Sequence, residues 1–449
     1  MKHTPILFSL LLGFLPLTGN ADVELPNIFG NHMVLQRGAP LQIWGTADAG
    51  EKIALKFGPR TFTSTTDEDG SWEIGLPSLK SDGGKSHKMT IKGRNTIVLE
   101  NILIGDVWIG SGQSNMEWNM NGSERRDEFV KDANHPGIRL FHIPKKQFDA
   151  PQTDVEAKWK PCTSSNIPNF SAVLYHFGKT IQADQKVPIG LINSSWGGSP
   201  IEPWTVTDKG SGKMYNGMIA PIVKFPVTGT IWYQGETNCI QKNGLSYTGK
   251  MKDLIEGWRR VFNNGNMPFY FVQIAPWNGG YAPGQLPALW EAQCATLKLP
   301  HTGMAVTTDI VHNIGDIHPR NKHDVGDRLA RWALARHYQK KGVIYSGPLY
   351  KAMKVEGSRI RLAFAHSDGL KSRDGQDLNE FKIAGSDGQF VDAKAEIEGK
   401  FVLVSAESIK NPTQVRFGWH KVANPNLVNR AGLPASPFQT EKWTGGTGE

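Results

Sequence analysis

The sequence predicts a three-layer α/β domain built on a mainly parallel sheet, with a β-rich segment at each end. Two observations carry that prediction. Over residues 102–345, short apolar runs with strand character alternate with amphipathic helical patterns, as expected of buried parallel strands joined by helices. Over 22–101 and 346–440 the text changes to short apolar/polar alternations broken by glycine-bearing turns, with no long helical period.

The elements follow in chain order. Residues 1–21, "MKHTPILFSLLLGFLPLTGNA", place a cation at Lys2, an apolar run over 6–17 and small residues at Gly19 and Ala21. That layout predicts a secretory leader cleaved after Ala21, and with it an exported chain, periplasmic or secreted. The apolar run, interrupted by Gly13 and Pro16, is too short to span a bilayer, and no later stretch is long enough. In 22–101, "MVLQRGAPLQIWG", "KIALKFG", "SWEIGLP" and "HKMTIKG" read as strands of a small antiparallel sandwich or barrel, with Asp69-Gly70 as a hairpin turn. In 102–345, strands are expected at "DVWIGSG", "IRLFHI", "IGLINSSWGG", "GTIWYQGE", "FYFVQIAP" and "GMAVTTD". Helices are expected over 172–183, 247–262 and 324–337. In the second of these, Tyr247, Met251, Leu254, Ile255, Trp258 and Phe262 follow helical spacing. Strands return at "RIRLAF", "EFKIAGSDGQFVDA", "KFVLVSA" and "TQVRFGW", with a turn at Asp387-Gly388, and 441–449 reads as a loose tail.

Composition narrows the function classes. The 449-residue chain carries a formal charge of +8, but the basic residues are scattered and form no nucleic-acid footprint. Three cysteines, Cys162, Cys239 and Cys294, make an odd count and match neither a disulfide framework nor a zinc pattern. No P-loop, dinucleotide-binding glycine pattern or H-E-x-x-H occurs, which removes the common cofactor and metalloprotease readings. The fourteen tryptophans suit carbohydrate contacts in an exported protein as well as core filling.

One stretch changes character abruptly. "GSGQSNMEW", 110–118, leaves a strand and sets Ser114 on a tight polar turn. Ser114 is either a helix N-cap or a nucleophile exposed at the rim of the sheet. It is not the G-x-S-x-G elbow, since Met116 stands where a glycine is required. A serine nucleophile needs a base, a group that orients the base, and donors for the oxyanion. In "GDIHPRNKHDVGDRLARWAL", Asp316 and His318 lie two apart, on one side of an extended loop, and suit the acid and the base. Competing pairs are Asp309 with His312 and, more weakly, His323. Oxyanion donors are expected from the Ser114 N–H, from Gly197 or Gly198, and from Gln234 or Asn238 in "WYQGETN". Glu236 in that stretch could orient the histidine instead of Asp316, bind a substrate hydroxyl or cap a helix.

"GQSNM", "NSSWGGSPIEPW", "WYQGETN" and "DIHPRNK", in this order, resemble the sialate O-acetylesterase family of SGNH-type hydrolases. "NHMVLQRGAPLQIWGTADAGEKI" is similar to the β module that precedes the family's hydrolase domain. "NEFKIAGSDGQF" and "NLVNRAGLPASPFQT" are similar to its C-terminal end, so the likeness covers nearly all of 22–440. The resemblance implies a flavodoxin-like SGNH hydrolase domain between β-sandwich-like segments. It implies a serine esterase that removes O-acetyl groups from sugars without cofactor or metal. Ser114 is then the nucleophile, His318 the base and Asp316 the acid, with Glu236 as the alternative acid. Gly198 and the "QGETN" block, with Gln234 and Asn238, complete the oxyanion site. One departure stands out: many SGNH enzymes carry D-x-x-H, where this chain has D-x-H. Acetylated sialic acid and acetylated xylan or xyloglucan all present the same acyl group, so these residues do not choose between them. The loops at Trp118, Trp204 and Trp277, and Arg125, Arg126 or Arg320 for a sugar carboxylate, are the expected discriminators. The rival class is a non-catalytic carbohydrate-binding protein, which needs no serine, histidine and acid together.

Overall fold

A computed structural model describes residues 22–441; the leader-like stretch 1–21 and all but the first residue of the tail lie outside them. The organising element is one strand, Thr96–Gly112, whose last eleven residues are all buried. Its first half pairs antiparallel with His87–Lys92 and its second half pairs parallel with Ile189–Ser195 and Gly229–Tyr233. Between the halves Asn101 takes the left-handed conformation, φ 55°, which asparagine tolerates better than most residues. The strand therefore runs across residue 101, where the sequence changes texture, and belongs to the β-rich segment and the α/β sheet alike.

The main sheet places strands in the order Thr302–Ala305, Phe269–Val272, Gly229–Tyr233, Thr96–Gly112, Ile189–Ser195, His135–His142, Trp159–Cys162. All neighbours are parallel except the last, an antiparallel edge strand. Helices cover both faces. A Cβ on Gly110 would meet Leu174 of the Ala172–Gln185 helix at 2.8 Å, and one on Gly303 would meet Trp332 of the Lys322–Trp332 helix at 2.5 Å. On the other face Trp232 packs against Trp258 of the Tyr247–Val261 helix, ring centroids 6.2 Å apart. Three layers result, as the alternation of textures predicts.

Three helices coincide with predicted ones, and a fourth, Gln285–Thr296, has no counterpart among them. Leu286, Pro287, Ala288, Leu289, Trp290, Ala292 and Gln293 in that helix are all buried, so no polar face marks its period. The Asp69-Gly70 turn is also different from the expected hairpin. The strands on either side pair elsewhere, Arg60–Thr65 with Lys52–Phe57 and Ser71–Leu76 with Leu41–Thr46, so the turn carries the chain between two sheets. Asp387-Gly388 does close a hairpin, between Phe381–Ala384 and Val391–Asp392.

The two β-rich ends stand differently toward the centre. Side chains from Val23 through Leu99 share one continuous apolar core with the α/β layers. The C-terminal segment has its own core, from Ile360 to Phe438, between two four-stranded sheets. No helix among the described residues is long and apolar enough to cross a membrane.

Candidate active site

Register brings the motifs together before any side chain is considered. Gly112 lies opposite Ser195 on one side and Tyr233 on the other, so "GQSN", "SSWGG" and "QGETN" leave the same sheet edge on adjacent strands. In open α/β sheets that carboxyl edge is where ligands bind. The close approach requires a glycine: a Cβ on Gly112, at φ 134°, would come within 2.2 Å of the Tyr233 carbonyl oxygen. The chain then turns through Gln113, whose N–H donates to that carbonyl at 3.0 Å, and enters the short helix Ser114–Glu117.

Ser114 starts that helix rather than capping it. Its Oγ lies 2.9 Å from Nε2 of His318, 204 residues away. The other ring nitrogen, Nδ1, faces Asp316 Oδ1 at 3.8 Å, and the same carboxylate accepts the His318 backbone N–H at 2.8 Å. The ring is stacked on Trp118, centroids 4.7 Å apart and planes 22° from parallel. Burial, reinforced by the Lys322 ammonium and opposed by Asp316, holds the imidazole below its ordinary value of 6.5. The arrangement sets a hydroxyl, an imidazole ring and a carboxylate next to one another.

Other candidates fall elsewhere. Asp309 is taken by a buried two-pronged ion pair with Arg328, both contacts at 2.7 Å, while His312 is largely exposed beside Glu124; the D-x-x-H pair is not assembled. His323 pairs with Asp324 and faces Phe129 and His176. Glu236 is fully buried, and its Oε1 accepts from Asn115 Nδ2 rather than from a histidine nitrogen.

The oxyanion donors divide. Neither the Ser114 N–H nor the Gly198 N–H donates to a partner among the described residues. Gly197 lies against Ser114, its Cβ position 3.4 Å from the serine Cβ, but its N–H is already given to Glu117 Oε2. The Gln234 and Asn238 amides are corrected to framework roles. Gln234 Nε2 donates to Gln113, Ser199 and Asn238, and Asn238 Nδ2 donates to Glu202 and Asn243. Both sit at zero exposure because they tie three loops together.

The expected discriminating loops also separate. Trp118 lines the histidine and Trp277 binds the Gly315 carbonyl just before Asp316, whereas Trp204 is buried in the core. Arg125 and Arg126 are paired with Glu128 and Asp127, and Arg320 Nε donates to the Gly122 carbonyl. A cavity of about 650 Å³ opens at the same sheet edge, lined by His142, Lys158, Lys160, Asn166, Asn169 and Phe170. His142 ends the second strand over from Thr96–Gly112, roughly 10 Å away at normal strand spacing. Among the described residues, no group of three His, Cys, Asp or Glu side chains is placed to hold a metal ion.

Two residues that matter here were not singled out from sequence, Asn115 and Lys322, although each lies inside a quoted motif. Asn115 Nδ2 donates to Glu236 and, at 3.1 Å, to the Ile317 carbonyl, while its Oδ1 accepts from Lys322 Nζ at 2.5 Å. The three cysteines are free, Cys162 and Cys239 buried and Cys294 partly so.

A family model for carbohydrate esterases, described as sialic acid-specific acetylesterase, matches residues 104–335. The chain is 31% identical to the sialate O-acetylesterases of Pongo abelii and Homo sapiens, over 72% of its own length and 73% of theirs. A crystal structure of a carbohydrate acetylesterase from Xanthomonas citri superposes with a TM-score of 0.90 at 36% identity, covering 94% of this chain and all of that one.

Proposed function

The chain belongs to the sialic acid-specific acetylesterase family of carbohydrate esterases and is a carboxylic ester hydrolase; from that premise we propose that it removes O-acetyl groups from sugars through an acetyl-enzyme on Ser114. The observation that carries the reading is the 2.9 Å approach of Ser114 Oγ to His318 Nε2. His318 takes the hydroxyl proton as Oγ attacks the acetyl carbonyl. The oxyanion is received by the N–H groups of Ser114 and Gly198, which have no other acceptor among the described residues. The intermediate collapses, and the sugar oxygen leaves with the proton from His318. Water, deprotonated by the same ring, then attacks the acetyl group, and acetate departs as Ser114 Oγ recovers its proton. Asp316 holds the ring and favours its transient positive charge.

We read the domain as SGNH-type. Omitting the added edge pair His135–His142 and Trp159–Cys162, the parallel strands follow the order 2-1-3-4-5 of flavodoxin-like sheets.

The substrate reading is an O-acetylated sialic acid. The relatives' names point there, and so does the neighbouring cavity, where Lys158 and Lys160 suit a sugar carboxylate and the one acidic side chain in the lining, Glu156, is paired with Lys146. A second reading, a neutral acetylated polysaccharide such as xylan or xyloglucan, rests on the acetyl group that these sugars share with sialic acid; the Xanthomonas citri structure is described only as a carbohydrate acetylesterase.

The test is acetate release from O-acetylated sialic acid, acetyl-xylan, acetyl-xyloglucan and an aryl acetate, by wild type and Ser114→Ala. Release should fall by about 1,000-fold or more in the variant. Full release by a folded Ser114→Ala protein would end the serine mechanism, and the preferred natural sugar decides the substrate.

A further inference from the structure

Beneath the serine turn lies a buried polar chain that the mechanism above does not use. Lys322, the first residue of the Lys322–Trp332 helix, is 1% exposed. Its Nζ donates to Asn115 Oδ1 and lies 5.7 Å from the Trp118 ring and 5.5 Å from the Tyr233 ring. Asn115 passes the contact on in two directions, to Glu236 Oε1 and to the carbonyl of Ile317. Ile317 is the residue between Asp316 and His318. Asn115 follows Ser114. One amide thus joins the residue beside the hydroxyl to the residue beside the ring, and Lys322 fixes which way that amide points, since only its oxygen can accept from an ammonium.

We propose that Lys322 is a positioning residue of the Ser114–His318 couple, acting through Asn115 to hold the 316–318 turn against the serine. The proposal rests on the reading of Ser114 and His318 as nucleophile and base. A buried ammonium is costly unless it is used or paired, and the groups facing this one are Glu236, Asp316, His318 and the two rings. Burial pulls Lys322 down to about 7, with Glu236 and Asp316 acting the other way. An ammonium in this position opposes proton uptake by His318. Lys322 does two things at once: it orients the amide, and it keeps the neighbouring ring available as a base.

The experiment compares wild type with Lys322→Met on an aryl acetate, recording kcat, KM and the pH profile of kcat/KM, with near-ultraviolet circular dichroism and thermal unfolding to check the fold. Because removing Lys322 strips a buried Glu236 of its nearby cation, Lys322→Met/Glu236→Gln, which buries no net charge, is run beside the single variant as a folded alternative. The expected result is a fall in kcat of about tenfold or more with KM little changed, and an acid limb displaced to higher pH. A folded variant that keeps wild-type kcat, or whose acid limb stays where it is in wild type, overturns the proposal. Ser114→Ala is the control for the underlying reading: its failure to lose activity removes the nucleophile, whereas an unmoved limb removes only the role of Lys322.

Discussion

The Ser114 hydroxyl and the His318 ring face each other because each is held by neighbours that are not themselves reactive. Trp118 fixes the plane of the ring, and Asp316 receives the His318 N–H and faces Nδ1. Replacing Asp316 by asparagine removes the charge that favours the imidazolium, so kcat should fall roughly 100-fold or more. A folded Asp316→Asn protein within threefold of wild type would hand the orienting role to another group. The pH dependence follows from the ring's surroundings. Burial lowers the His318 value below 6.5, and a base works only when unprotonated, so the active form persists further into acid than for a free imidazole. The acid limb of kcat/KM should lie below 6.5, and a limb above that value contradicts the assignment. Sequence spacing suffices to nominate Ser114, Asp316 and His318. Spacing cannot show that Gln234 and Asn238 spend their donors on framework bonds, because both amides look equally free in a string of letters.

Elements carry the site through register. Gly112, Ser195 and Tyr233 end neighbouring strands side by side, which is why three motifs spread over more than a hundred positions meet at one edge. Gly112 permits that meeting. Gly112→Ala would drive a methyl into the Tyr233 carbonyl from a backbone conformation that alanine avoids, so stability should drop by about 3 kcal/mol. Chemical denaturation checks this, and a change below about 0.5 kcal/mol would mean that the strands can separate to admit the methyl. The amphipathic helices were legible because one face of each is wet. The Gln285–Thr296 helix was not, since it is covered nearly all round and its period has no polar half.

Across the whole molecule the division of the core differs from the division of the text. The stretch matched by the family model begins at residue 104, inside the Thr96–Gly112 strand and inside a core shared with residues 23–99. A fragment of residues 104–345 should therefore fail to fold, showing no cooperative thermal transition, whereas residues 22–441 should show one. A cooperative fragment would prove the shared core dispensable. The C-terminal segment has a separate core yet reaches toward the site: the Lys421 carbonyl accepts from the Trp277 N–H, and Lys421 Nζ holds the carbonyls of Gly279 and Tyr281. Sequence by itself determined the α/β centre, its β-rich ends and the motifs that name the family, because periodicity and local turn chemistry are written in neighbouring residues. Only the tertiary structure decided that one strand serves two segments, that Arg328 removes Asp309 from the chemistry, and that Asn115 and Lys322 stand behind the serine. Those facts depend on contacts between residues far apart in the chain, and the pairing of buried polar groups is settled only when the fold has closed around them.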